Sequence, residues 1–107
     1  MPHYLLQAAY TTEAWAAMTK NPQNRTETVQ SLIETLGGRL ESAYLCFGEY
    51  DSIVIAEFPD DQTAATFSIR AAAAGHLKAL RTTPLLTPEE GLGAMGRAGS
   101  LDYPVPG

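Results

Sequence analysis

Glu57 and Gln7 each interrupt an apolar run, "SIVIAEF" and "HYLLQAAY", that reads as a strand. A buried carboxylate must be paired, hydrogen-bonded or protonated, and one held in a partly dry interior can serve in proton transfer. The plainer reading is a satisfied core pair, with Gln7 and Glu57 hydrogen-bonded across adjacent central strands. A second candidate is Gly48-Glu49-Tyr50-Asp51, which separates two strand-like runs. There Tyr50 and Asp51 would stand as donor and acceptor at the mouth of a pocket between sheet and helices. The same residues suit a turn, with Gly48 permitting a bulge and Asp51 accepting hydrogen bonds from its own loop, and this structural use is the favoured one. His76, just past Gly75, is a proton carrier if it points into that pocket. His3 is too far from it in sequence for paired metal ligands, so no metal is expected. The lone Cys46 reads as strand packing rather than a nucleophile. "GLGAMG" lacks the strand-then-helix setting of a dinucleotide loop, and no cofactor is expected.

The elements that would position these residues follow from spacing. "HYLLQAAY" is a strand covered on both faces. "TTEAWAAMTK" offers Thr12 as a cap for a short amphipathic turn carrying Trp15 and Met18. Asn21 and Pro22 read as cap and first turn of a longer helix, in which Val29, Leu32, Ile33 and Leu36 repeat at helical spacing until Gly37-Gly38 stops it. "RLESAYLCFG" and "SIVIAEF" form an antiparallel hairpin. "PDDQTAATFSIRAAAAG" is a second helix, whose alanines allow close approach to a sheet. "KALRTTPLL" is a last strand that Pro84 confines to a sheet edge. Thr87, Pro88 and Glu90 start another helix through a capping box, and Gly91 to Gly107 reads as a tail or an arm ordered by a neighbour.

Strand, helix, strand, strand, helix, strand is the split βαβ order of a ferredoxin-like α+β fold with a four-stranded antiparallel sheet. Two helices cover one face. The other shows Leu5, Gln7, Ala9, Ile53, Ile55 and Glu57, too apolar to be wet, so a second copy is expected to lie sheet against sheet as a dimeric α/β barrel. The aromatic set of Tyr4, Tyr10, Trp15, Tyr44 and Phe67 reads as core. At 107 residues the chain holds one domain, taken as residues 1–90, followed by the tail. A net charge of -5 with scattered basic residues opposes nucleic acid and anionic membranes. With no leader-like segment at the N-terminus, a cytoplasmic location is expected. The partners left are the chain itself and a small molecule.

Gly48-Glu49-Tyr50-Asp51 fits the Gly-x-Tyr-Asp stretch for which the GYD-domain family is named. "MPHYLLQAAYT", "LGGRLESAYLCFGEYD", "FPDD" and "TTPLLTPEE" also resemble that family, so the resemblance spans roughly Met1 to Glu90. It departs from the family's pattern between Trp15 and Asn24, in "GHLKALR" and in the tail. The resemblance implies a ferredoxin-like subunit of the dimeric-barrel kind and no settled activity.

Three functions follow as expectations. The first is an oligomeric small-molecule-binding or stress-associated domain, with the ligand near Tyr4, Tyr50, Asp51 and His76. The second, by architectural analogy, is a cofactor-independent isomerase or monooxygenase with Glu57 or His76 as its acid or base. The third is a structural assembly subunit whose tail wraps a neighbour. The sequence itself names no reaction.

Overall fold

The computed structural model describes residues 1–107. Its elements are β1 (His3–Tyr10), α1 (Thr12–Lys20), α2 (Arg25–Thr35), β2 (Arg39–Leu45), β3 (Ser52–Glu57), α3 (Asp61–Ala73), β4 (Leu77–Leu85) and α4 (Pro88–Gly99). The strands form one antiparallel sheet in the order β2-β3-β1-β4. This is the expected α+β, ferredoxin-like architecture, and Pro84 does lie on an edge strand.

The segment expected as a short turn is a helix of nine residues. Its cap is Thr11 rather than Thr12: the Thr11 hydroxyl accepts the Ala14 N–H at 3.1 Å. Asn21 closes α1 instead of starting α2, its backbone N–H reaching the Ala17 carbonyl. The α2 cap is Asn24, whose side chain accepts the Thr26 N–H at 3.0 Å. Asn caps by the same local chemistry at either place, so the choice depends on where the chain turns. Gly37 ends α2 at φ +80°, a conformation that side chains disfavour. Gly38 serves a different need, since a Cβ there would lie 2.4 Å from the Glu57 carbonyl oxygen.

Helix α2 packs against β2 and α3 against β4, on one sheet face. Tyr4, Leu6, Val54, Ala56 and Phe58 point up from the sheet to meet Ile33 of α2 and Ala64 and Phe67 of α3. Edge-on contact joins the Tyr4 and Phe58 rings at 5.7 Å between centroids, and Phe67 lies 5.7 Å from Phe58. Burying a large apolar side chain contributes roughly 1.5–3 kcal/mol, so this layer is the main source of stability. Of the aromatic set, Tyr4, Tyr10 and Phe67 are buried, while Trp15 and Tyr44 are exposed.

The opposite face has no helix packed on it. Leu5, Gln7, Ile53 and Ile55 are half-buried there among their neighbours on the sheet. Gln7 and Glu57 share that face but do not meet. The register sets Gln7 opposite Ile53 and Arg81, and Glu57 opposite His3 and Arg39. Glu57 faces Arg39 and His3 instead: the Arg39 guanidinium contacts Oε2, which is buried and makes no well-formed hydrogen bond, and His3 Nε2 stands 3.6 Å from both Glu57 and Glu41.

Helix α4 begins at the expected capping box, with Thr87 and Glu90 exchanging hydrogen bonds at 2.9 and 3.1 Å. It continues to Gly99 through most of the segment expected to be loose, and none of its residues is buried. The chain measures 58 × 35 × 22 Å with a radius of gyration of 17.3 Å, against about 13 Å for a compact chain of this length. No helix is long and apolar enough to cross a membrane.

Candidate functional site

Asp51 is the hub at one end of the sheet. Its backbone N–H donates to the Ala8 carbonyl and its carbonyl accepts from Cys46 N–H, both at 2.8 Å, which ties the β2–β3 turn to β1. One carboxylate oxygen, Oδ2, then accepts two donors from the chain that leaves β1: the Tyr10 N–H at 2.9 Å and the Trp15 indole N–H at 3.3 Å. The acid thus fixes where α1 sits. Gly48, at φ +137°, lets the turn close. Tyr50 is half-buried, and its carbonyl accepts the Cys46 thiol at 3.1 Å. The register irregularities fall after Leu40 and after Ala9, not at Gly48.

Tyr10 is sandwiched beside this hub. Trp15 meets it edge-on at 5.3 Å and the His76 ring stacks on it at 6.3 Å. The His76 carbonyl also accepts the Thr11 N–H at 3.0 Å, so β4 joins the same corner. Asp51, Tyr50 and His76 therefore gather at the C-terminal end of β1. Tyr4 does not join them: it lies six residues back along β1, about 20 Å away at strand spacing.

At that far end the Tyr4 hydroxyl donates to Asp61 Oδ1 at 2.5 Å. Burial, then the Asp61 carboxylate, pushes the phenol up to about 12. Ser68 and Thr82 share a 2.6 Å hydrogen bond nearby. Together these contacts clamp α3 to β1 and β4, and the alanines of α3 permit the approach.

Two cavities flank α2. A cleft of about 550 Å³ opens beneath α1, walled by Tyr10, Trp15, Met18, Val29, Ala43 and Val54. A groove of about 420 Å³ runs between α2 and α3 over Phe67, with Arg25, Arg70 and His76 along it. Sequence reasoning missed Met18, Arg25 and Arg70 as site residues. One signal was available for Arg25: it is the first residue of α2, where the helix dipole disfavours a cation. No group of three or more His, Cys, Asp and Glu is close enough to hold a metal ion.

The GYD domain family matches residues 4–95, which take in all of the sheet but His3, the Asp51 hub and both cavities. The chain belongs to the GYD domain family. It is similar to a Thermus thermophilus protein named glutamine synthetase and cystathionine beta-lyase binding protein, at 28% identity over 80 residues, covering 75% of this chain and 84% of the relative. Its fold is similar to the crystal structure of FFRP-DM1, with a TM-score of 0.57 at 16% identity, covering 80% of this chain and 100% of that one. It is also similar to MtbAldR, with a TM-score of 0.57 at 14% identity, covering 80% of this chain and 52% of that one. At such identities these two likenesses speak to the fold of the GYD domain. Within it, the aspartate of the Gly-x-Tyr-Asp stretch has a plain physical role, fastening α1 and the β2–β3 turn to β1.

Proposed function

We propose that this GYD-domain protein is a homo-oligomeric binding subunit that holds a small molecule in the cleft beneath α1. The observation that carries this reading is the cleft itself. It is of ligand size, mostly apolar, and roofed by a helix with no buried residue of its own. Trp15 and Met18 present apolar surface to it, and the Asp51 hydrogen bond to Trp15 holds the roof in place. Asp51 thus serves binding by positioning the roof, with His76 supporting Tyr10 from behind. Tyr50 and Tyr4 play structural parts in this reading. The apolar sheet face around Leu5, Ile53 and Ile55 supports a second copy packed sheet against sheet. Glu57 is already engaged with Arg39 and His3, which favours binding over acid-base catalysis.

Native mass spectrometry of the protein purified from its own host tests both parts. A dimer or multiple of dimers carrying a reproducible added mass is expected, with the added mass lost in Trp15→Ala. Subunits that fly as bare monomers would sink the reading.

A second reading, docking on a larger protein, draws on the name of the Thermus relative and on α4. Leu92, Met95, Leu101, Tyr103 and Val105 are exposed along that arm. Removing residues 91–107 should then abolish co-purification of a defined host protein while leaving the urea midpoint of the domain unchanged.

A further inference from the structure

The groove between α2 and α3 differs in character from the cleft beneath α1. Its floor is apolar, supplied by Val29, Leu32, Leu36 and Phe67. Its polar lining is Thr28, Thr35 and Thr66 with Arg25, Arg70 and His76, so the formal charge it carries is basic and no carboxylate borders it. That composition is unexpected in a chain with twelve acidic and seven basic residues. Neither arginine is neutralised within the subunit, where the ion pairs join only His3, Glu41, Glu57 and Arg39.

Topology gathers the charge at one end. Helices α2 and α3 follow antiparallel strands β1 and β3, so they run in opposite directions and the start of α2 lies beside the finish of α3. Arg25 is the first residue of α2, Arg70 sits in the last turn of α3, and His76 follows it. From Val29 to Leu36 the apolar floor then extends about 10 Å along α2, away from the cations. Arg25 stands at a helix start, where the helix dipole disfavours a cation, and a bound anion would offset that repulsion.

We propose that this groove binds an amphipathic organic anion. Its carboxylate or phosphate head meets Arg25 and Arg70 at one end, and a chain or ring of about ten carbons lies along Phe67, Leu32 and Leu36. Guanidinium forks suit both head groups, since each presents paired oxygens to parallel N–H donors. The groove shares Arg25 and Val29 with the cleft beneath α1, but Leu32, Leu36, Phe67 and Arg70 belong to it and not to the cleft, so the two ligands are told apart by which residues respond.

The test uses the full chain and four ten-carbon probes below their micelle concentrations: decanoate, decyl phosphate, decanol and decylammonium. Binding is followed by NMR through the methyl signals of Leu32 and Leu36, which border the groove alone. The Trp15 indole N–H reports on the cleft and His3 serves as a distant control. Decanoate or decyl phosphate is expected to saturate and shift the two leucines while leaving His3 unmoved, and the tighter of the two identifies the head group. Decanol and decylammonium should bind at least tenfold more weakly. The double substitution Arg25→Gln, Arg70→Gln should weaken the anion at least tenfold and leave the folded spectrum intact. Equal affinity for decanol, an unchanged affinity in the double variant, saturation that moves Trp15 but neither leucine, or no binding of any probe would each overturn the proposal.

Discussion

Asp51 carries more of the local architecture than any other polar residue, because one of its oxygens serves two donors from different elements. Asp51→Ala is expected to cost about 1–3 kcal/mol, since it leaves the Tyr10 N–H unpartnered and frees Trp15. Urea unfolding followed by tryptophan fluorescence checks this, with a red-shifted native emission marking the released indole. Tyr4 gives a pH signature. Its phenol is raised from 10.0 to about 12 in the folded state, by burial and then by the Asp61 hydrogen bond. A group whose folded pKa lies above the unfolded one stabilises fully below the unfolded value, and that contribution fades as pH rises toward the folded value. The wild type should therefore lose stability between pH 10 and 12 relative to Tyr4→Phe, as measured by urea midpoints across that interval. At neutral pH the same substitution should destabilise by roughly 1.5–3 kcal/mol for the lost bond to a charged partner.

Elements were legible in the sequence wherever a local rule decides them. The capping box at Thr87 and Glu90, the glycine stops at Gly37 and Gly75, and the apolar, β-branched strand runs needed only neighbouring residues. What was not legible depended on position along a partner. Alternation assigns Gln7 and Glu57 to a face, yet a slip of two residues keeps every side chain on its face while changing each opposing pair. The face was therefore readable and the Gln7–Glu57 contact was not; His3 and Arg39 oppose Glu57 instead. Asn21 and Asn24 illustrate the same limit at a helix start. The candidate site was half readable: Tyr50, Asp51 and His76 do gather, whereas Tyr4 belongs to the far end, and the arginines of the groove meet only through the fold. Gly38 tests an element contact that no pattern announces. Gly38→Ala would press a methyl group into the Glu57 carbonyl, and a loss of about 1–3 kcal/mol in urea unfolding is expected as the α2–β2 connection shifts.

At the scale of the molecule, the sheet is finished on one side and bare on the other. If copies pair across the bare face as proposed, a charge placed at its middle should separate them without unfolding the chain. Ile55→Lys is expected to convert the assembly to monomers by light scattering while the far-ultraviolet circular dichroism stays unchanged. Retention of the oligomer would show that the copies meet elsewhere. The border of the sheet, as distinct from its faces, governs how the protein survives at high concentration. Pro84 takes a place on β4, one of the two outer strands, where it can offer no N–H to an incoming chain. Lys78 and Arg81 on the same strand are exposed and would repel an identical edge. Both features oppose lateral growth of the sheet into a continuous ribbon, the first step toward amyloid, along the β4 border.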